Sequence, residues 1–134
     1  MKTLLWLDDC RNPLETNKEG LKHWLVFSPI EQPFDVVWVK SYKEFVNYIE
    51  TKGLPDAICF DHDLADISYN PNKGQTMFVY HDKTGYDCAK WLVEYCLDND
   101  LKLPPYNIQS ANPVGKANID GILKSYNKFK NFEI

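Results

Sequence analysis

Four short stretches carry the residue types from which a phosphate-handling site can be built. Asp8-Asp9 closes the first apolar run, Asp61-His62-Asp63 closes a later one, Ser110 and Asn112 follow another, and Thr84-Gly85-Tyr86-Asp87 opens an amphipathic stretch. Carboxylates gathered in one place repel each other unless they are protonated or bridged by a cation. With oxygen ligands and no cysteine in the set, the expected cation is hard: Mg²⁺ (or Mn²⁺), which binds through a few carboxylates and keeps several waters. Asp8, Asp9 and Asp61 are the candidate cation ligands. Asp61, His62 and Asp63 are the candidate catalytic groups, His62 because imidazole titrates near neutral pH. Arg11 either neutralises the acids or presents a planar fork to a phosphate. Ser110, Asn112 and Lys116, together with the N–H groups of a helix start, form a candidate anion cradle.

Plainer roles compete with these. Aspartates at strand ends also cap turns, Asn112 can cap the turn shaped by Pro113, and Thr84 with Asp87 suits the first turn of a helix. Cys10 is flanked by acid, and negative neighbours raise a thiol pKa, so it is not read as a nucleophile. His23 and His81 have no comparable company and are read as surface residues.

The elements that must position these groups follow from periodicity. Thr3–Leu7, Phe34–Lys40, Asp56–Asp61 and Tyr106–Ser110 are short apolar or β-branched runs and read as four strands. Ser41-x-x-Glu44 is a capping box, followed by a stripe of Tyr42, Phe45, Tyr48 and Ile49 that ends at Gly53. A second helix is expected from Thr84-Gly85 to about Asp100, with Ala89, Leu92, Val93 and Cys96 on one face. A third is expected from near Gly115 through Ile119, Ile122, Leu123, Tyr126 and Phe129. This alternation predicts an α/β domain with a parallel sheet and helices on both faces. Right-handed crossovers in so small a sheet suggest a strand order near 2-1-3-4, with the strand carboxyl ends sharing one crevice. Two insertions interrupt the pattern. Residues 15–33 hold Trp24-Leu25-Val26-Phe27, which fits a short strand or a helical turn equally well. Residues 65–83 are long and polar and read as a hairpin laid over one end of the sheet.

The chain has 134 residues with 15 Lys+Arg and 19 Asp+Glu, a net charge of −4. The excess acid lies in residues 1–67, which carry 7 basic and 12 acidic side chains against 8 and 7 in residues 68–134. No global field attracts nucleic acid, which argues against general DNA binding. A 44% hydrophobic composition with 4 Trp, 8 Tyr and 7 Phe argues against disorder. The four cysteines show neither CxxC nor a Cys/His array of zinc spacing, and Cys59 and Cys88 sit in apolar runs as small core residues. The opening run is halted by two aspartates and does not read as a signal peptide, and no stretch is long enough to span a bilayer. A single domain over 1–134 in a reducing, cytoplasmic setting is the expectation, with no membrane partner.

Taken in order, Leu7-Asp8-Asp9-x-Arg11-x-Pro13, Phe60-Asp61-His62-Asp63-Leu64, Thr84-Gly85-Tyr86-Asp87 and Ser110-Ala111-Asn112-Pro113-x-Gly115 resemble the cyclic-phosphate processing receiver-like family, a relative of response-regulator receivers. The resemblance implies a receiver-like, flavodoxin-like three-layer fold, here lacking the fifth strand. It implies that Asp8, Asp9 and Asp61 form the acidic pocket that holds Mg²⁺, and that Ser110 follows the fourth strand where receivers place a hydroxyl. Lys116 does not match the receiver lysine by position, and Gln109 stands where the family commonly has a histidine before the serine. The implied role is a metal-dependent phosphoesterase for a small phosphate-containing ligand, a cyclic nucleotide or an RNA end. The alternatives are a receiver phosphorylated on Asp61 and a noncatalytic nucleotide- or partner-binding module.

Overall fold

The computed structural model describes residues 1–9, 11–15, 23–61, 65–70, 75–80, 83–110 and 112–130, with residues 23, 65–70 and 75–80 described by their backbone. In chain order the elements are Lys2–Leu7 (β1), a 3-10 segment His23–Phe27, Phe34–Val39 (β2), Tyr42–Lys52 (α1), Ala57–Phe60 (β3), Ala65–Asn70 (β4), Gln75–Tyr80 (β5), Gly85–Asp98 (α2), Tyr106–Ile108 (β6) and Pro113–Phe129 (α3).

β1 is central. Leu4, Leu5, Trp6 and Leu7 are all fully buried, because a strand inside a covered parallel sheet meets protein on both faces. It pairs in parallel with β2 on one side and β3 on the other, and β3 pairs in parallel with β6. The order β2-β1-β3-β6 is the 2-1-3-4 order expected of the four main strands. All four strands point the same way, so the chain leaves each of them at one edge of the sheet. That edge carries Asp8, Asp61 and Gln109.

Alternation splits the core in two. Leu5, Leu7, Ile58, Phe60, Val39 and Ile108 face one side, where Phe45 and Ile49 of α1, Cys88, Ala89, Leu92 and Cys96 of α2, and Ile119, Leu123 and Tyr126 of α3 pack on them. Leu4, Trp6, Ala57 and Cys59 face the other side and are covered by Trp24, Leu25 and Phe27 of the 3-10 segment together with Ile30. The three α-helices therefore share one face, and the second outer layer is the 3-10 segment in place of a long helix. Handedness explains the division. The β1→β2 connection steps toward one edge and the later connections step toward the other, so right-handed crossovers set them on opposite faces.

The ambiguous Trp24–Phe27 stretch is thus a helical turn, pinned where Phe27 O accepts from Asn107 Nδ2 at 2.7 Å and Cys59 Sγ at 3.5 Å. The hairpin expected within 65–83 is present as antiparallel β4–β5, with Ala65 opposite Tyr80. Burial pushes the Cys59 thiol up to about 12 and that of Cys96 up to about 11, as suits core residues. No helix among the described residues is long and apolar enough to cross a membrane.

Helix ends follow their sequence signals. Ser41 Oγ accepts from Glu44 N–H at 3.2 Å, while the Glu44 carboxylate reaches Lys40 N–H at 3.4 Å, one residue earlier than a capping box predicts. α1 stops at Gly53, whose N–H bonds Ile49 O at 2.8 Å with φ 85° and ψ −177°. That conformation is almost confined to glycine. A Cβ at this position would meet nothing within 4 Å, so only the backbone opposes substitution. Gly53→Ala is expected to cost about 1–2 kcal/mol. Urea unfolding measures it as a lower midpoint with an unchanged slope, and an unchanged midpoint would contradict the assignment.

Candidate acidic site at the strand ends

β1 and β3 end side by side, and each delivers acid. The ladder passes Leu7 opposite Phe60 and continues through a bond from Asp61 N–H to Leu7 O at 2.9 Å. Asp8 is consequently the neighbour of Asp61. In a continued strand Asp9 would point away from Asp8. The chain instead bends at Asp9, just after Asp8 N–H makes its bond to Val39 O at 3.0 Å. One carboxylate oxygen from each of Asp8, Asp9 and Asp61 then lies within 4.8 Å of the others. Asp8 is fully buried, Asp61 is 7% exposed and Asp9 is half-buried.

Two indoles and the Asp8 and Arg11 side chains tie the bend down. Trp38 Nε1 donates to Asp8 O at 2.7 Å, and Trp6 Nε1 donates to Arg11 O at 3.0 Å. Asp8 Oδ1 accepts the Arg11 backbone N–H at 3.0 Å, closing the turn on itself. The Arg11 guanidinium lies 3.6 Å from Asp8 Oδ2, donates from Nη1 to Gln109 O at 2.7 Å, and stands over the Trp24 ring at 5.2 Å. Arg11 therefore joins the β1 bend, the end of β6 and the 3-10 segment. Part of its donor fork is already used in doing so.

The remaining sequence candidates divide clearly. Ser110 Oγ accepts from Asn112 N–H at 3.1 Å, and Asn112 Oδ1 caps α3 by accepting from Gly115 N–H at 2.9 Å. Asn112 thus fills the capping role, with Pro113 in the first turn of α3. Lys116 is exposed on the same turn, and no ion pair joins it to the acids among the described residues. Asp87 accepts from Thr84 N–H at 2.7 Å and from its hydroxyl at 3.3 Å, so this pair starts α2. His62, Asp63 and Cys10 lie outside the described residues.

Sequence reasoning missed the contributions of Trp6, Trp38 and the Gln109 side chain. A signal existed for the tryptophans: a buried indole N–H needs an acceptor, and both lie on strands that end at the acids. For Gln109 the signal was its odd chemistry, a polar amide closing an apolar strand.

The donor set fits a hard divalent cation. All three donors are carboxylate oxygens lying within 4.8 Å of one another, the donor type that a hard divalent ion takes. Fold and site together define a receiver-like α/β domain with an acidic cluster at the carboxyl ends of its parallel strands. The chain belongs to the cyclic-phosphate processing receiver domain family, whose model matches residues 3–125. No curated protein matches the chain.

The indole bonds generate a prediction. Trp38→Phe removes the donor to Asp8 O and is expected to cost about 1 kcal/mol of stability. Hydrogen exchange at the Arg11 amide should quicken while that of α1 amides stays as in the wild type. Equal exchange at Arg11 would mean that the bend is held without the indole.

Proposed function

We propose that the domain is a divalent-cation-dependent phosphoesterase acting on a cyclic phosphate or a phosphorylated nucleotide or RNA end. The observation that carries this reading is the convergence of Asp8, Asp9 and Asp61 at the strand ends, in a member of a cyclic-phosphate processing family. Asp8, Asp9 and Asp61 would hold the cation. When bound, such an ion polarises a phosphoryl oxygen and makes a water molecule more acidic. The protein's own groups do the rest. His62 or Asp63 moves the proton, one acting as base toward water or acid toward the leaving oxygen. Ser110 keeps its hydroxyl hydrogen for a phosphate oxygen, since its Oγ serves Asn112 N–H as acceptor. The remaining Arg11 N–H groups and Lys116 add positive charge on the phosphate side. The same acids would serve a receiver that takes a phosphoryl group on Asp61, and the test separates the two.

Wild-type protein is titrated with Mg²⁺ or Mn²⁺ and assayed on 2′,3′- and 3′,5′-cyclic mononucleotides. Cation-dependent turnover is expected, with a loss of about a hundredfold or more in Asp61→Asn and in His62→Ala, in line with removal of a charge-stabilising or acid–base group. Chelation should abolish the wild-type activity. Background turnover under all conditions would sink the hydrolase reading. A stable gain of one phosphoryl group on Asp61 after incubation with a small phosphodonor would favour the receiver.

A further inference from the structure

Gln109 follows β6 and is 5% exposed, so its side-chain amide has been withdrawn from water. Register decides where it points. Leu7 pairs with Phe60 and Phe60 with Ile108, and the ladder continues through Asp61 N–H to Leu7 O and Gln109 N–H to Phe60 O, both at 2.9 Å. Asp8, Asp61 and Gln109 therefore form one row across β1, β3 and β6, and partners in such a row point to the same face of the sheet. The amide then leans along the row toward the acids. Its Nε2 donates to Leu7 O at 3.1 Å, the same carbonyl that receives Asp61 N–H and whose peptide leads into Asp8.

This bond fixes the other end of the amide. Turning the group over would set Oε1 against the Leu7 carbonyl oxygen, which has no hydrogen to give. Oε1 is thus held in place, buried, and without a hydrogen-bond partner among the described residues. A buried carbonyl oxygen with no donor opposes folding, and native proteins keep such a group where something else completes it. The row sets Gln109 on the same strand ends as the two buried carboxylates, Asp8 and Asp61.

We propose that Gln109 Oε1 is a neutral oxygen of the cation site, facing the hydrated ion that Asp8, Asp9 and Asp61 hold. This inference rests on the cation reading above and adds a residue to it. The chemistry is consistent at each point. Mg²⁺ and Mn²⁺ keep several waters, each with hydrogens for an acceptor, and an amide oxygen adds to the donor set without adding a fourth negative charge. Acceptors around the first ligands commonly govern affinity by ten- to a hundredfold.

The test is Mn²⁺ binding, read as the loss of the free-ion electron paramagnetic resonance signal, with thermal melts of metal-free and Mn²⁺-saturated protein alongside. Gln109→Met keeps the length of the side chain and deletes both polar ends. It is expected to weaken Mn²⁺ binding about tenfold or more, and to shrink the Mn²⁺-induced rise in Tm. Gln109→Glu keeps an oxygen, loses the donor to Leu7 O and is expected to bind Mn²⁺ at least as tightly as the wild type. If the methionine variant does not fold, Gln109→Asn, which withdraws the amide by one methylene and adds no charge, is expected to weaken Mn²⁺ binding in the same direction, and an unchanged affinity overturns the proposal. A purely structural Gln109 would lower the metal-free and metal-bound melts together and leave Mn²⁺ affinity unchanged in the methionine variant, and this overturns the proposal while sparing the cation reading. A wild-type protein that binds no Mn²⁺ overturns both.

Discussion

The arrangement turns on the cost of placing three carboxylates at one edge of a sheet. Two like charges about 4 Å apart repel by about 1 kcal/mol in water and by about 4 kcal/mol at the effective dielectric of a protein surface. Asp8 is fully buried and Asp61 nearly so, and their neighbour Asp9 is only partly open to solvent. The guanidinium of Arg11 answers part of that cost. Arg11 lies 3.6 Å from Asp8, but one of its donors is spent on the Gln109 carbonyl.

Rigidity around the acids comes from elements with no chemistry of their own. Trp6 and Trp38 present indole N–H groups to Arg11 O and Asp8 O, so the bend after β1 is anchored from β1 itself and from β2. The 3-10 segment adds a third support: Trp24 lies under the Arg11 guanidinium, while the Phe27 carbonyl is bonded by Cys59 and Asn107 on β3 and β6. The segment that replaces a long helix on this face thus reaches from the hydrophobic layer to the acidic edge. Packing under the sheet and geometry at its end are one mechanical unit.

The helical face works differently. α1, α2 and α3 all pack on the side built from Leu5, Leu7, Ile58 and Phe60, and they contribute no carboxylate to the cluster among the described residues. Their part is to bury the sheet so that its strands run straight to the acidic edge. α3 has a second part, since its capped start brings Ser110 and Asn112 to the end of β6. That explains why Asn112, a plausible phosphate ligand by type, spends its side-chain oxygen on Gly115 N–H.

Much of this was legible in the sequence because it depends on local patterns. Short apolar runs ending in Asp8-Asp9 and Asp61, the Ser41 cap, the Gly53 stop and the hairpin between residues 65 and 83 each declare themselves within a few residues. Strand order followed from handedness, and the convergence of the acids followed from parallel strands sharing one edge. What the sequence could not supply were the relations made across the sheet. Whether Trp24–Phe27 becomes a strand or a turn depends on the empty face it must cover, which exists only once β1, β2 and β3 have paired. The Gln109 amide has two ends, and nothing nearby in sequence says which end is used. Only the register that lays β6 beside β3 and β3 beside β1 brings Leu7 O within reach of Nε2 and leaves Oε1 as the end not used in that bond. The chain by itself determined which groups would stand at the strand ends, because strand periodicity is local. The tertiary structure decided which of them are brought together and which are spent on caps and bridges, because those hydrogen bonds join strands that are distant in sequence.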